Sequence, residues 1–251
     1  MYLLNRSPDR GAAFEIVCVV TSEDTFDEEV RVERRGIPVI VHPIAPFHGA
    51  RGAPTLGDER VRREYDGKTL ERLDPYFADL ILLDGYVYLV TAPLLRAFPN
   101  RIINLHFSDL TLRGGDGGPR FPGIRAVRDA MAAGCPETRA TVHLVNDRAD
   151  EGAPIVLSWP FAVSRAGGEL RTLGASQIFR AYSYAHQQWM TRTVSGPLVN
   201  AALRLVATGA VDLADLAGLA RGVTRPWLLC EDGKLVAPHL EPAGARALAP
   251  A

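Results

Sequence analysis

Short apolar runs at Phe14–Val20, Ile37–Val41, Ala78–Leu83 and Ile102–Ile103, separated by charged stretches of helical periodicity, constrain this chain more than any other feature. Runs this short and this rich in Val, Ile and Leu suit strands covered on both faces of a sheet. Residues 25 to 35 read as a helix ending at Gly36. Residues 58 to 73 read as another, with Val61, Tyr65, Leu70 and Leu73 on one face. Pro93 can open a third over 93 to 98. The pattern is β-α-β repeated, with Pro38 marking its strand as an edge.

Residues 42 to 57 carry His42, Pro43, Pro46, His48, Gly49, Gly52 and Pro54 and read as a plain surface loop rather than a metal site, since no carboxylate or thiol joins the histidines at ligand spacing. Arg113-Gly-Gly-Asp-Gly-Gly-Pro119 reads as a mobile hairpin loop in preference to an anion cradle, because it lacks the lysine and hydroxyl of a phosphate loop. A helix over 124 to 133, a strand over 140 to 145, a polar turn with Asp150 and a strand over 155 to 159 follow. Residues 176 to 207 are helical with a break expected at Gly196-Pro197, and His186 is expected as a surface or capping residue. Trp227 to Val236 reads as a hairpin turning at Asp232-Gly233.

The organisation expected is an α/β domain over 1–165, a helix and hairpin extension over 166–241 packed on it, and a disordered tail over 242–251. With 28 basic and 29 acidic residues there is no electropositive excess for nucleic acid. No run approaches the length of a membrane span, and the N-terminal apolar stretch is too short for a signal peptide. Cys18, Cys135 and Cys230 lack paired spacing and fit idle thiols in a reducing cytoplasm.

Chemistry is expected where Ile102-Ile103 runs into Asn104, His106 and Ser108, together with Asp150 further on. The strand order places Gly85 near Asn104, and Asn104, His106 and Asp150 beyond the carboxyl ends of adjacent strands, where open α/β folds bind ligands. An amide donor, an imidazole and a carboxylate are what acyl or formyl transfer to an amine requires: a donor for the oxyanion, a group exchanging protons near neutrality, and an anion that orients or deprotonates.

Several motifs in order carry a resemblance: Asp84-Gly85-Tyr86, Asn104-Leu105-His106-x-Ser108, Phe121-Pro122-Gly123-Ile124, Val142-His143-Leu144-Val145 and Asp150-Glu151-Gly152. Over about residues 14 to 165 the chain resembles the folate-dependent formyltransferases of the phosphoribosylglycinamide formyltransferase type. The resemblance implies a Rossmann-like, mostly parallel sheet with helices on both faces, and 10-formyltetrahydrofolate as donor with no metal. It also implies a donor pocket formed by Leu83, Gly85, Tyr86, Val87, Tyr88, Val90, Val145 and Asp147. By the same implication Asn104 holds the formyl oxygen, His106 stabilises the tetrahedral intermediate and assists proton transfer, and Asp150 orients His106 and receives the amine proton through water.

There are departures. Phe107 replaces a proline, Asp109-Leu110-Thr111 replaces an apolar pair and proline, and Tyr88 stands where an arginine is common. The loop to Pro122 is long. Phe14 aligns with the family's second strand, so the first, central strand and its phosphate loop are missing. A start displaced from the true one is the expectation, against residues 1 to 5 and a partner chain filling the gap, or a rearranged fold. The function expected is formyl transfer to an amine, glycinamide ribonucleotide or a relative, in the cytoplasm. Hydrolysis of the same donor, or folate binding without catalysis, are the alternatives. The acceptor is a small molecule, and a homodimer is open.

Overall fold

A computed structural model describes residues 3, 7–25, 32–53, 55–164, 169, 177–218 and 225–238. The first apolar run yields strand β1 (Val19–Thr21), shorter than expected: Phe14 makes only an isolated bridge with Arg10, and Val17 is exposed. The helix expected over 25–35 falls largely outside the described residues. β2 (Val39–Val41) runs parallel to β1, with Val20 opposite Ile40 and Pro38 just before the ladder.

Residues 42–57 are not a plain loop. They form the short helix α1 (Ile44–Gly49), and His42 and His48 are buried. His42 stacks on Tyr65 at 4.1 Å between ring centroids, and its Nδ1 lies 3.1 Å from Thr69 Oγ1. Aromatic packing against the next helix therefore claims a ring that composition assigned to the surface. That helix, α2 (Glu59–Leu73), is capped by Asp58, whose side chain accepts the Val61 N–H. Val61, Tyr65 and Leu73 are buried, and so are Arg62 and Asp66.

β3 (Ile81–Leu83), α3 (Ala92–Ala97, entered at Pro93) and β4 (Ile102–His106) realise the expected β-α-β unit, with β3 and β4 parallel and Leu83 opposite Asn104. After α4 (Ala126–Ala132) come β5 (Glu137–Thr138), β6 (Thr141–Leu144), β7 (Pro154–Leu157) and β8 (Phe161–Ala162). β6 is antiparallel to both β4 and β7, while β5 and β8 pair by themselves.

Helix α5 (Gln177–Ala207) runs straight through the expected break, with Pro197 inside it. An interior proline costs about 3 kcal/mol. Against that, Val194, Leu198, Val199, Ala202 and Leu205 are buried in the main core, and each large aliphatic side chain contributes roughly 1.5–3 kcal/mol. His186 is likewise no surface residue: it is buried with Nε2 2.8 Å from Thr138 Oγ1. After α6 (Leu213–Gly218), β9 (Trp227–Leu229) and β10 (Leu235–Val236) form the expected hairpin, with Gly233 at φ 83° in the turn. β9 lies parallel to β7, so the hairpin joins the main sheet. The tail at 242–251 lies outside the described residues.

The resulting α/β sheet has the order β10-β9-β7-β6-β4-β3, and β1-β2 forms a second sheet. Among the described residues no strand lies between β1 and β3, although Cys18 and Val20 pack on the cluster of Leu73, Val90, Leu94, Phe98 and Ile102. β4 separates the two cores by its pleat: Ile103 and Leu105 face the α5 cluster, and Ile102 faces the α2–α3 cluster. Asn104 and His106 continue the Ile102 face.

Candidate active site

Pairing of β4 with β6 puts His143 directly opposite Asn104. Facing residues of an antiparallel pair share a face of the sheet, so both point to the side of His106. Asn104 Nδ2 lies 3.1 Å from His143 Nε2, and His143 Nδ1 lies 2.9 Å from the Leu144 carbonyl. A carbonyl can only accept, so Nδ1 carries the proton and Nε2 is a lone pair. Asn104 therefore donates one amide hydrogen to His143 and has a second hydrogen left for a ligand.

Asp150 lies beyond the carboxyl end of β6, but Asn104 and His106 do not lie beyond that of β4. The latter two are inside β4, and β6 runs the opposite way. Asp150 reaches them because the bend between β6 and β7 folds back. Val145 N–H donates to the Ile102 carbonyl and Leu144 N–H to the Ala153 carbonyl, and Asp150 adopts a left-handed φ of 56°. Its Oδ2 lies 3.5 Å from His106 Nε2 and its Oδ1 lies 3.7 Å from His143 Nε2. One carboxylate thus stands between two imidazoles.

Gly123, itself at φ 75°, donates its N–H to Asp150 Oδ2 at 2.7 Å. His106 hydrogen-bonds the backbone of Phe121, while its Nε2 makes no hydrogen bond. The Phe121–Gly123 turn therefore holds both ends of the His106–Asp150 pair. Burial pushes the His106 imidazole below its ordinary pKa of 6.5, against the upward pull of Asp150 and of Phe121. Burial lowers His143 to about 4, with the neighbouring His106 adding to the shift and Asp150 opposing it. Both rings are neutral at pH 7.

Of the candidate pocket residues, Leu83, Tyr86, Val90 and Val145 come together in the apolar cluster around Ile102. Gly85 turns the chain at φ 78° two residues past the Leu83–Asn104 pair, a looser neighbour of Asn104 than expected. Tyr88 meets Tyr86 edge-on at 5.4 Å, and Val87 is exposed. Asp147 stands exposed on the bend between β6 and β7. The glycine-rich loop uses its amides internally: Gly114 N–H donates to Gly118, Gly117 N–H to Gly114, and Gly118 N–H to the Asp116 side chain. Amides engaged in this way are not an anion cradle. Among the described residues no group of three or more His, Cys, Asp or Glu converges as a metal site would require.

Residues 2–165 match the formyl transferase family model, more than half of the chain. The chain belongs to the formyl transferase family. Formyltetrahydrofolate deformylase of Escherichia coli strain K12 is 32% identical over 155 residues, covering 62% of this chain and 47% of that protein. Chloroplastic phosphoribosylglycinamide formyltransferase of Arabidopsis thaliana is 29% identical over 138 residues, covering 55% and 42%. Among solved structures, glycinamide ribonucleotide transformylase 1 from Symbiobacterium toebii matches with a TM-score of 0.55 at 28% identity, over 78% of this chain and 75% of that one. The chain spans about half the length of the curated relatives it matches. Among the described residues no helix is long and apolar enough to cross a membrane.

Within this family member, Asn104, His106 and Asp150 were legible in the sequence, and the groups that connect them were not: His143, the Phe121 backbone and the Gly123 N–H. All three sit in the motifs that carry the family resemblance. The signal was present as sequence, but the contacts are made across strands.

Proposed function

We propose that this protein transfers a formyl group from 10-formyltetrahydrofolate to a small-molecule amine. The observation that carries this reading is the convergence of Asn104, His106, His143 and Asp150 on one face of the sheet, beside the apolar cluster of Leu83, Tyr86, Val90 and Val145. The donor's flat ring system lies against that cluster, and its formyl oxygen points at the free amide hydrogen of Asn104. The amine nitrogen attacks the formyl carbon and the C=O pair moves onto oxygen, where the Asn104 N–H stabilises it, joined by His106 once the amine proton has reached that ring.

His106 Nε2 is a free lone pair beside a carboxylate, so a proton arriving there is held by Asp150 at 3.5 Å. The amine proton passes through water and Asp150 to His106 Nε2, and collapse of the intermediate expels the donor's N10, which takes that proton from His106. Residues 1–165 carry this chemistry, in a cytosolic protein, with α5 and the C-terminal hairpin bracing the sheet.

Hydrolysis is the second reading, favoured by the 32% identity to a formyltetrahydrofolate deformylase. Water then replaces the amine and formate leaves. Release of tetrahydrofolate from the donor, measured with and without glycinamide ribonucleotide and simple amines, separates the two. Amine-dependent release supports transfer, amine-independent release with formate supports hydrolysis, and no release with any acceptor rejects both.

The histidines set a pH dependence. His42 and His143 are lowered to about 4, and His106 and His186 are lowered as well, burial being the largest cause in each case. The unfolded chain binds these protons at higher pH than the folded one. Their contribution to stability is therefore complete above the unfolded value near 6.5 and is lost as pH falls towards about 4. Each fully buried imidazole can contribute up to about 1.4 kcal/mol per pH unit in that window. Denaturant midpoints at pH 8.5, 7.5 and 5.5 are expected to agree between the first two and drop at the third, and equal midpoints throughout would contradict the assignment.

A further inference from the structure

Arg62 and Asp66 lie one helical turn apart on α2, with side chains 6% and 0% exposed, and the reaction above uses neither. Asp66 Oδ2 accepts both the backbone N–H and the hydroxyl of Thr91, each at 2.6 Å. Its Oδ1 makes no hydrogen bond and faces Arg62 Nη2 at 3.7 Å. Arg62 Nη2 also donates to the Tyr86 hydroxyl at 3.0 Å and to the Leu89 carbonyl, and the guanidinium lies 5.4 Å from the Tyr88 ring centroid.

One charge pair thus grips residues 86–91 at Tyr86, Tyr88, Leu89 and Thr91. That segment has neither helix nor strand to hold it, yet Val87 and Leu89 stand 59% and 60% exposed on it. Exposed apolar side chains on a backbone pinned from beneath are what a preformed wall for an apolar ligand looks like. Stability is a poor explanation for the pair: buried ion pairs are often matched or bettered by apolar residues of similar volume, and both Arg62 Nη1 and Asp66 Oδ1 are left without hydrogen bonds.

We propose that Arg62 and Asp66 are positioning residues for the donor pocket, fixing residues 86–91 so that Val87 and Leu89 form a rigid apolar wall for the donor's ring system. This rests on the formyl-donor reading of the site. A loosened wall raises the donor's KM while leaving the reacting groups on β4 and β6 in place.

The test compares Asp66→Ala, Asp66→Asn and, as a control for general destabilisation, Asp58→Ala, which removes only the α2 cap. Asp66→Ala is expected to raise the donor KM about tenfold with kcat within about twofold, and to speed amide hydrogen exchange over 87–91 in protein that remains folded by circular dichroism. Asp66→Asn keeps an acceptor for Thr91 and should recover part of the loss. Asp58→Ala should lower the melting temperature and leave the donor KM unchanged. The proposal is overturned if Asp66→Ala leaves KM and exchange unaltered, or if Asp58→Ala raises KM equally. A wild-type protein that neither binds nor consumes the donor would instead reject the donor reading, and the exchange comparison would still decide whether the pair pins the segment.

Discussion

Asn104→Ala is expected to reduce kcat about a hundredfold to a thousandfold, the usual consequence of deleting one oxyanion donor, with the donor KM changed only a few fold. The expectation follows from how the amide is held. His143 Nε2 accepts one hydrogen at 3.1 Å because its Nδ1 is committed to the Leu144 carbonyl. The amide is therefore oriented before substrate arrives, and a preorganised donor need not rotate as charge develops on oxygen. Asn104→Asp, which keeps the shape and removes both hydrogens, should be as damaging. Steady-state kinetics on purified protein decides the matter: either variant retaining more than about a tenth of wild-type kcat would remove Asn104 from this role.

Gly152→Ala is expected to be the most destabilising substitution in the region. A Cβ there would stand 1.6 Å from the Leu144 oxygen and 2.6 Å from its carbonyl carbon. The obstacle is backbone and cannot swing aside. Leu144 is held by its N–H to Ala153 and by its carbonyl to His143, so any relief opens the bend that carries Asp150. A loss of about 3–5 kcal/mol is expected, in the range of severe steric substitutions, read as a shift in guanidinium midpoint, together with loss of turnover in the remaining folded protein. Gly115→Ala is the control. Gly115 is exposed with nothing near its would-be Cβ, so a change within about 0.5 kcal/mol is expected. Equal midpoints for Gly152→Ala and wild type would mean that the bend does not adopt this close approach.

The missed features share a cause. Arg62 and Asp66 read as part of a charged helix face, and His42, His48 and His186 as loop or surface groups, because composition reports polarity and not what a neighbouring element brings. Pro197 reads as a break because local propensity does not include the core that α5 covers. Asn104 and His106 read as lying past a strand end but sit inside β4, and they meet Asp150 because β6 runs antiparallel to β4, a direction set by strand pairing.

By itself the sequence determined the α/β architecture, the hairpin turning at Asp232-Gly233, and the resemblance to the formyl transferases that singles out Asn104, His106 and Asp150 as candidates. These depend on periodicity, turn chemistry and ordered motifs, which are properties of neighbours along the chain. Only the tertiary structure decided that His143 orients Asn104, that Phe121 and Gly123 hold the His106–Asp150 pair, that Gly152 must lack a Cβ, and that β1 and β3 stand apart. Each of these depends on groups well separated in sequence meeting at hydrogen-bonding or contact distance, and strand direction and packing, not local propensity, determine which of them meet.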